Sequence, residues 1–493
     1  MKILLVYPEY PDTFWSFKHA LKFVSKRAAN PPLGLLTIAP LLPPKWEKKL
    51  IDMNIEKLLN KDILWADYVF IGAMSIQLKS ALELIEKCKS FGKKIVAGGP
   101  LFTEDYEKFE MVDHLVLNEA EITLPQFLSD LEKGTPQKIY QTAEFADITQ
   151  SPIPDYSLIK KSKYSSISIQ YSRGCPFNCD FCDITALLGH RSRIKTSAQI
   201  IGELENIYNL GWRENIFFVD DNFIGNKPIL KKELLPDVIK WMNAHKNPFA
   251  FTTEASVNLS DDKELMELMT NAGFAAVFIG IETPQEAGLI ECNKVQNKNR
   301  NLLESIKKVQ QAGMEVHGGF IVGFDSDLPT IFKQQIEFIQ KSGIISAMIG
   351  MLNAPTKSKL YQKLITEGRI LNKMSGDNTD SSTNIVPKMN IADLKAGYFE
   401  IIRGIYNGKP FYERVRHFLN DFEPQVKNKT KMNFNKIIAL VKSILIIGIY
   451  DSNRKYYWRL FFWSLFKRPK LFPLAITYSI YGYHFKRVFK MIN

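Results

Sequence analysis

The chain is 493 residues long, 45% hydrophobic and carries a net charge of +12. It is too long for one ordinary domain and holds enough apolar material for two or three cores. The charge belongs to one end, because after Glu423 there are fourteen Lys or Arg and a single acid, Asp451, while the rest is close to neutral. Those cations are interleaved with Trp458, Phe461, Phe462, Trp463, Phe466 and Phe472, a mixture that suits an anionic membrane surface and argues against nucleic acid as a partner.

The opening MKILLVYPEY reads as a β-strand and not as a signal peptide. Five cysteines, an odd number with no secretory signal ahead of them, argue for a reducing compartment and a cytoplasmic protein. Residues 1–145 are expected to form a first domain. Short buried strands are read at 3–7, 68–74, 94–99 and 114–118, with helical patterns such as LKSALELIEKCKSFG between them. This alternation predicts a doubly wound, Rossmann-like parallel sheet that takes ligands at the carboxyl ends of its strands. Gly72, Ser75, Gly98, Gly99 and Pro100 fall at those ends. Glycine there admits a bulky ligand to the backbone, or serves ordinary turn chemistry. Cys88, on a helical face, reads as a small core residue. Residues 146–164, with Pro152 and Pro154, read as a linker.

The stretch SRGCPFNCDFCDI places Cys175, Cys179 and Cys182 within eight positions. Three thiolates hold three corners of a four-iron cluster and leave the fourth iron open to chemistry. An electron-transfer ferredoxin normally adds a fourth cysteine, and structural zinc wants four protein ligands. Zinc with His190 as fourth ligand is the other reading, set back by the eight residues that separate His190 from Cys182. Between 165 and 359, six strand candidates alternate with helices, at 165–172, 215–220, 249–254, 276–282, 316–324 and 345–352. Polar residues emerge at their carboxyl ends: Asp220, Asp221 and Asn222, then Glu254, then Glu282. Any one of these carboxylates also reads as a helix cap. Cys292 follows the loop after the fourth strand and reads as a buried structural thiol or as a hydrogen donor near the barrel mouth. With Cys88 it is too little to ligate a second full cluster.

Residues 360–493 read as a mainly helical region. It starts with KLYQKLITEGRIL, passes a polar loop, SGDNTDSSTNIVPKMN, that reads as a lid or as plain surface, and ends in the basic aromatic tail. IIALVKSILIIGIY is only fourteen residues long and contains Lys442, short of the roughly 20 apolar residues that a spanning helix needs. Peripheral membrane attachment is expected, with a helical subdomain of internal aromatics as the alternative.

The spacing C-x3-C-x2-C, with Phe181 before the last cysteine, resembles the radical S-adenosylmethionine (SAM) superfamily. The order of a Rossmann-like domain, IPDYSLI and the three-cysteine loop resembles its cobalamin-binding subclass. YPEYPDTFWSFKHALKF, PPLGLLTIAPLLP, the GGP at 98–100 and LNEAEITLPQFL are similar to that subclass's first domain. The region after the barrel resembles that of the hopanoid carbon-two methylases. The resemblance implies an α/β protein with a cobalamin-binding domain, a partial (β/α)6 barrel and a mainly helical C-terminal region. It implies a 4Fe-4S cluster on Cys175, Cys179 and Cys182, and SAM against Asp221, Glu254 and Glu282 with Gly319 and Gly323 near its adenine. Cobalamin is implied beside Gly72, Ser75, Gly98, Gly99 and Pro100. The histidine motif D-x-H-x-x-G is missing and His19 lies in the wrong context, so cobalamin is expected without a protein histidine ligand, or the pocket has lost it. The function implied is methylation of an unactivated carbon of a hydrophobic, lipid-like substrate, with a flavodoxin or ferredoxin as electron donor. A radical cyclase or rearrangement enzyme is the second reading, and a non-catalytic cobalamin or iron–sulfur sensor the third.

Overall fold

A computed structural model describes residues 1–372, 374–425 and 434–490. The first sheet consists of β1 (Lys2–Tyr7), β2 (Glu47–Asp52), β3 (Tyr68–Gly72), β4 (Lys94–Gly98), β5 (His114–Val116) and β6 (Ile139–Tyr140). All pairings are parallel, in the order β2-β1-β3-β4-β5-β6. Ile3, Leu4, Leu5 and Val6 are wholly buried, as strands covered on both faces must be, and this is why they read as an unbroken apolar run. Strand order reverses between β1 and β3, which opens a crevice at their carboxyl ends where doubly wound sheets take ligands. The four expected strands are present. β2 and β6 are additions: β2 opens with the exposed or half-buried EKK of a sheet edge, and β6 has two residues, so neither carries an apolar run.

The second half holds β7 (Ser166–Ile169), β8 (Ser172–Arg173), β9 (Arg193–Ile194), β10 (Asn215–Phe218), β11 (Ala250–Glu254), β12 (Phe274–Glu282), β13 (Glu315–Val322) and β14 (Ala347–Met351). β7 and β10 to β14 form an all-parallel six-stranded sheet in chain order, with β7 at one edge and β14 at the other. It is an open barrel, and each of the six expected strands is in it. β8 and β9 pair as a short antiparallel hairpin of their own. Local chemistry sets the helix boundaries. Thr196 and Gln199 form a reciprocal capping box ahead of helix Ser197–Asn209, and helix Lys263–Ala272 stops at Gly273, whose φ is 109°.

The C-terminal region contributes helices Lys359–Thr366, Ile391–Tyr406, Gly408–Asp421, Phe434–Ser443, Arg454–Lys467 and Phe472–Val488, with a π-helical turn at Ile444–Tyr450. Tyr406 ties this layer to the start of β14, donating to the Ala347 carbonyl (2.6 Å) and accepting from its N–H (3.0 Å). The last helix reaches the first domain, where Phe485 stacks on Phe14 with ring centroids 4.4 Å apart. Many of the tail's aromatics are therefore internal: Tyr457, Tyr478 and Phe485 are fully buried, whereas Phe462 and Phe466 are exposed. Among the described residues no helix is long and apolar enough to cross a membrane.

Candidate active site at the facing sheet ends

The three cysteines lie on the loop between β8 and the short helix Ile184–Leu188. Gly174 begins this loop with φ 90°, and a Cβ there would sit 2.6 Å from the Arg191 carbonyl and 2.8 Å from those of Leu188 and Gly189. Only glycine lets the hairpin close so tightly. Behind it, Asp220 accepts hydrogen bonds from the N–H of Tyr171 (3.2 Å) and from the N–H and hydroxyl of Ser172. Asp221 accepts from the N–H of Gly174 (3.1 Å). These two carboxylates at the end of β10 hold the entry to the cysteine loop.

Arg173 and Arg193, paired across the hairpin, reach the first domain. Arg173 bonds Glu121 (2.7 Å) and Glu119 (3.1 Å), and Arg193 bonds both oxygens of Glu119 (2.5 and 2.8 Å). Burial would raise the Glu121 carboxyl, but Arg173 overrides it and holds it down at about 2. The loop's far side is fixed by Asn293, which donates to the Asn178 carbonyl (2.9 Å), and by backbone bonds from Asp180 to Cys292 (3.0 Å) and from Leu360 to Asp180 (2.8 Å). Phe181 packs on the small apolar cluster of Cys292, Phe324, Leu352 and Leu364.

Burial pushes the Cys182 thiol up to about 12 and raises Cys175 too. The compensating cation is Lys294. Burial would lower its pKa, but Glu282 and the Cys179 and Cys182 sulfurs raise it above the ordinary value. Lys294 Nζ is 2.6 Å from Glu282 and 5.6 Å from the Phe181 ring centre. Glu282 has φ 65°, an uncommon conformation for a residue with a side chain and one that concentrates at functional sites. Gln296 donates towards Cys179 Sγ (3.6 Å), while its carbonyl oxygen is buried without a partner among the described residues.

The donor set fits an open-iron cubane. Each thiolate of such a cluster binds a different iron, so the sulfurs need not converge. Among the described residues no three His, Cys, Asp or Glu side chains gather closely enough to hold one metal ion, and His190 is exposed. Among the described residues Glu254, at the end of β11, finds no side-chain hydrogen-bond partner; burial, then Asp221 and Asp220, push it up to about 8. Burial likewise lifts Asp221 to about 6. An unpartnered carboxylate beside the cysteine loop fits the ammonium of a bound SAM. Gly319 lies against the Phe278 ring, and the N–H of Gly323 donates to Asp327 (2.8 Å).

The carboxyl ends of the first sheet meet this site. Gly72 lies against Leu35, and the hydroxyl of Ser75 donates to Glu104 (2.9 Å). A Cβ on Gly98 would stand 2.6 Å from the Val116 carbonyl, and Gly99 has φ 96°, so both glycines are required by the chain itself. Pro100 opens helix Pro100–Asp105. Charge interactions reach Glu104 from Asp183, next to Cys182, and from Lys357, and Lys357 donates to the Thr103 carbonyl (3.4 Å). The polar loop after residue 373 crosses the gap: Gly376 lies on Ser75 and Ile76, and the Asn378 carbonyl on Gly350 of β14. Trp15, in the loop after β1, meets Met348 of β14 (Nε1 to Sδ 2.9 Å) and the edge of Phe278 (5.5 Å). His19 is taken up by Asp12 (2.6 Å), Cys88 is a core residue, and Cys292 is buried with its pKa lifted to about 12 by burial.

Residues 169–339 match the radical SAM superfamily, and residues 358–493 match a domain of unknown function, DUF4070. Over 490 residues the chain is 38% identical to an uncharacterized methyltransferase of Synechocystis sp., covering 98% of this chain and 91% of that one. It is 35% identical over 390 residues to the hopanoid C-2 methylase of Rhodopseudomonas palustris, covering 78% and 73%. In fold it is similar to the cobalamin-dependent S-adenosylmethionine radical enzyme OxsB with aqua-cobalamin bound, with a TM-score of 0.64 over 99% of this chain and 80% of that chain, at 14% identity.

Proposed function

The chain belongs to the radical SAM superfamily, in the family of the hopanoid C-2 methylase, and on that premise we propose that it methylates an unactivated carbon of a hydrophobic, lipid-like substrate. The observation that carries the reading is the clamp of Arg173 and Arg193 on Glu119 and Glu121, which sets the cysteine loop against the ligand-taking end of a Rossmann-like sheet. When bound, the iron–sulfur cluster supplies the electron that cleaves SAM to a hydrogen-abstracting radical, and cobalamin supplies the methyl group.

The chain's own groups do the rest. Cys175, Cys179 and Cys182 hold the cluster, and Lys294 offsets their negative charge. Glu254 accepts the SAM ammonium; Asp221 keeps the cysteine loop in register through Gly174; Glu282, bound to Lys294, is a positioning residue. Gly319 and Gly323 lie near the adenine. Gly72, Ser75, Gly98, Gly99 and Pro100 would offer backbone to cobalamin. Trp15, Phe278 and Met348 give the space between the sheets apolar walls that keep water from a radical and suit a hydrocarbon substrate. The electron comes from a flavodoxin or ferredoxin, and the enzyme works peripherally on the inner face of the membrane.

The test is anaerobic turnover with reductant, SAM, cobalamin and membrane lipid. Both 5'-deoxyadenosine and S-adenosylhomocysteine should form, with a lipid heavier by one methylene, and Cys179→Ala should form neither nucleoside. Formation of 5'-deoxyadenosine without S-adenosylhomocysteine, together with a deletion strain whose lipids match its parent's, would overturn methylation.

A further inference from the structure

Along helix Phe434–Ser443 and the turn Ile444–Tyr450, exposure alternates with a period of four. Ile437, Val441, Leu445 and Ile449 are each 47–49% exposed, whereas Ala439 and Ile447 are buried. The buried side is spoken for: the Ser443 hydroxyl meets that of Tyr457 (2.9 Å), and Lys442 reaches across to the Lys22 carbonyl (2.7 Å) and Ser25 (3.1 Å) of the first domain. The apolar ridge is thus a second face, beyond what packing uses. Trp458 sits on Gly448, its indole N–H bonded to that carbonyl (2.9 Å). From Trp458 a stack of rings runs outward along helix Arg454–Lys467 through Phe462 to Phe466, which is 76% exposed.

The charges around this surface are mostly of one sign. Arg454, Lys455, Arg459, Lys467 and Lys470 are exposed and form no ion pair among the described residues. Nearby acids are used elsewhere: Asp451 by Lys486 (3.2 Å), Glu423 by Arg468 (2.7 Å), and Glu214, whose charge reaches Lys436, by Lys26 (3.7 Å). Monomeric proteins seldom leave large side chains in such a row. An apolar ridge rimmed mostly by cations fits an interface of hydrocarbon below and anionic headgroups above. A second copy of the same face would bring like charges together.

We propose that this face, the Ile437–Ile449 ridge with Phe462 and Phe466, seats the enzyme on an anionic lipid bilayer. The proposal deepens the lipid-substrate reading and rests on it for its purpose, while its support is the surface itself. It places a peripheral contact on the DUF4070 region, beside the helices that pack on the first domain.

The full-length protein, purified anaerobically, is sedimented with vesicles of phosphatidylcholine alone or with phosphatidylglycerol at about one lipid in three. Binding to the mixed vesicles should be at least roughly tenfold tighter and should weaken with salt. Leu445→Asn/Ile449→Asn and, separately, Lys455→Glu/Lys467→Glu should each lose about that factor, with helical content and SAM cleavage to 5'-deoxyadenosine unchanged. Equal binding by wild type and the ridge variant would overturn the proposal, as would dimerisation in solution that the ridge variant abolishes. SAM cleavage and vesicle binding are read separately, so failure of the enzymatic reading and failure of this one are distinguishable.

Discussion

At the residue scale, Glu254 makes no side-chain hydrogen bond among the described residues and is pushed by burial, and by Asp221 and Asp220, to about 8, so at neutral pH the ligand-free protein carries it protonated. In the unfolded chain the same group ionises near 4.3. The folded state therefore loses stability relative to the unfolded one as pH rises from that value to about 8, and the loss is constant beyond. Glu254→Gln removes this penalty, so the variant's Tm should exceed wild type's at pH 8 and equal it near pH 4.5. SAM asks for the opposite form, since its ammonium binds the ionised carboxylate. Affinity should rise between pH 6 and pH 8, by up to about tenfold per pH unit, and then level off. In Glu254→Gln the rise should flatten, with binding at pH 8 weaker by about ten- to a hundredfold. Thermal scans at two pH values and a Kd-against-pH profile check both halves. A variant that is less stable at both pH values would make Glu254 a structural group instead.

At the element scale, a hairpin of two-residue strands cannot hold a ten-residue loop in one place by its own hydrogen bonds. The clamp onto Glu119 and Glu121 does so from outside. Removing one member of a buried ion pair leaves its partner charged and unpaired, at a cost of about 3–5 kcal/mol. Glu119→Gln should lower the Tm, and under chelator challenge its iron should leave several times faster than wild type's. Equal iron retention would show that the loop is self-sufficient. This clamp also marks where the sequence stops being legible. Buried parallel strands announce themselves, because ILLVY or AVFIGIE must be apolar on both faces, and the crowding of three cysteines identifies its loop. The edge strand EKKLID and the hairpin lack such a pattern. Glu119 is separated by 54 and 74 residues from Arg173 and Arg193, and no local periodicity reports a partner so remote. Lys294 and Gln296 are hidden in the same way: nothing in IECNKVQN marks them until β12 and its loop bring them to the cysteines. Trp15 carried a faint signal, as a large aromatic in a loop just past a strand end.

At the scale of the whole molecule, the two sheets are joined by the C-terminal helix Phe472–Val488, and the joint contains a titratable group. His484 Nε2 lies 2.9 Å from the Phe14 carbonyl, its Nδ1 is buried without a partner among the described residues, and its ring stacks on Phe17 at 5.2 Å. Burial depresses its pKa to about 4; the Phe14 carbonyl opposes this, the neighbouring His19 reinforces it and Asp12 opposes it weakly. The unfolded chain takes up this proton near 6.5. The stability contributed by a neutral His484 is therefore present above pH 6.5 and lost as pH falls from there to about 4, by up to roughly 3 kcal/mol. Glutamine keeps a donor towards Phe14 without a titration. In His484→Gln the urea midpoint should change less between pH 7 and pH 5 than in wild type, where it should fall. Because His484 sits in the seam, the wild-type loss should begin with this helix, so limited proteolysis at pH 5 should cut within residues 472–488 in wild type and spare the variant. Identical pH slopes in the two proteins would mean that acid loosens the molecule elsewhere, with the buried Lys195–Glu203 pair of the barrel the next group to vary.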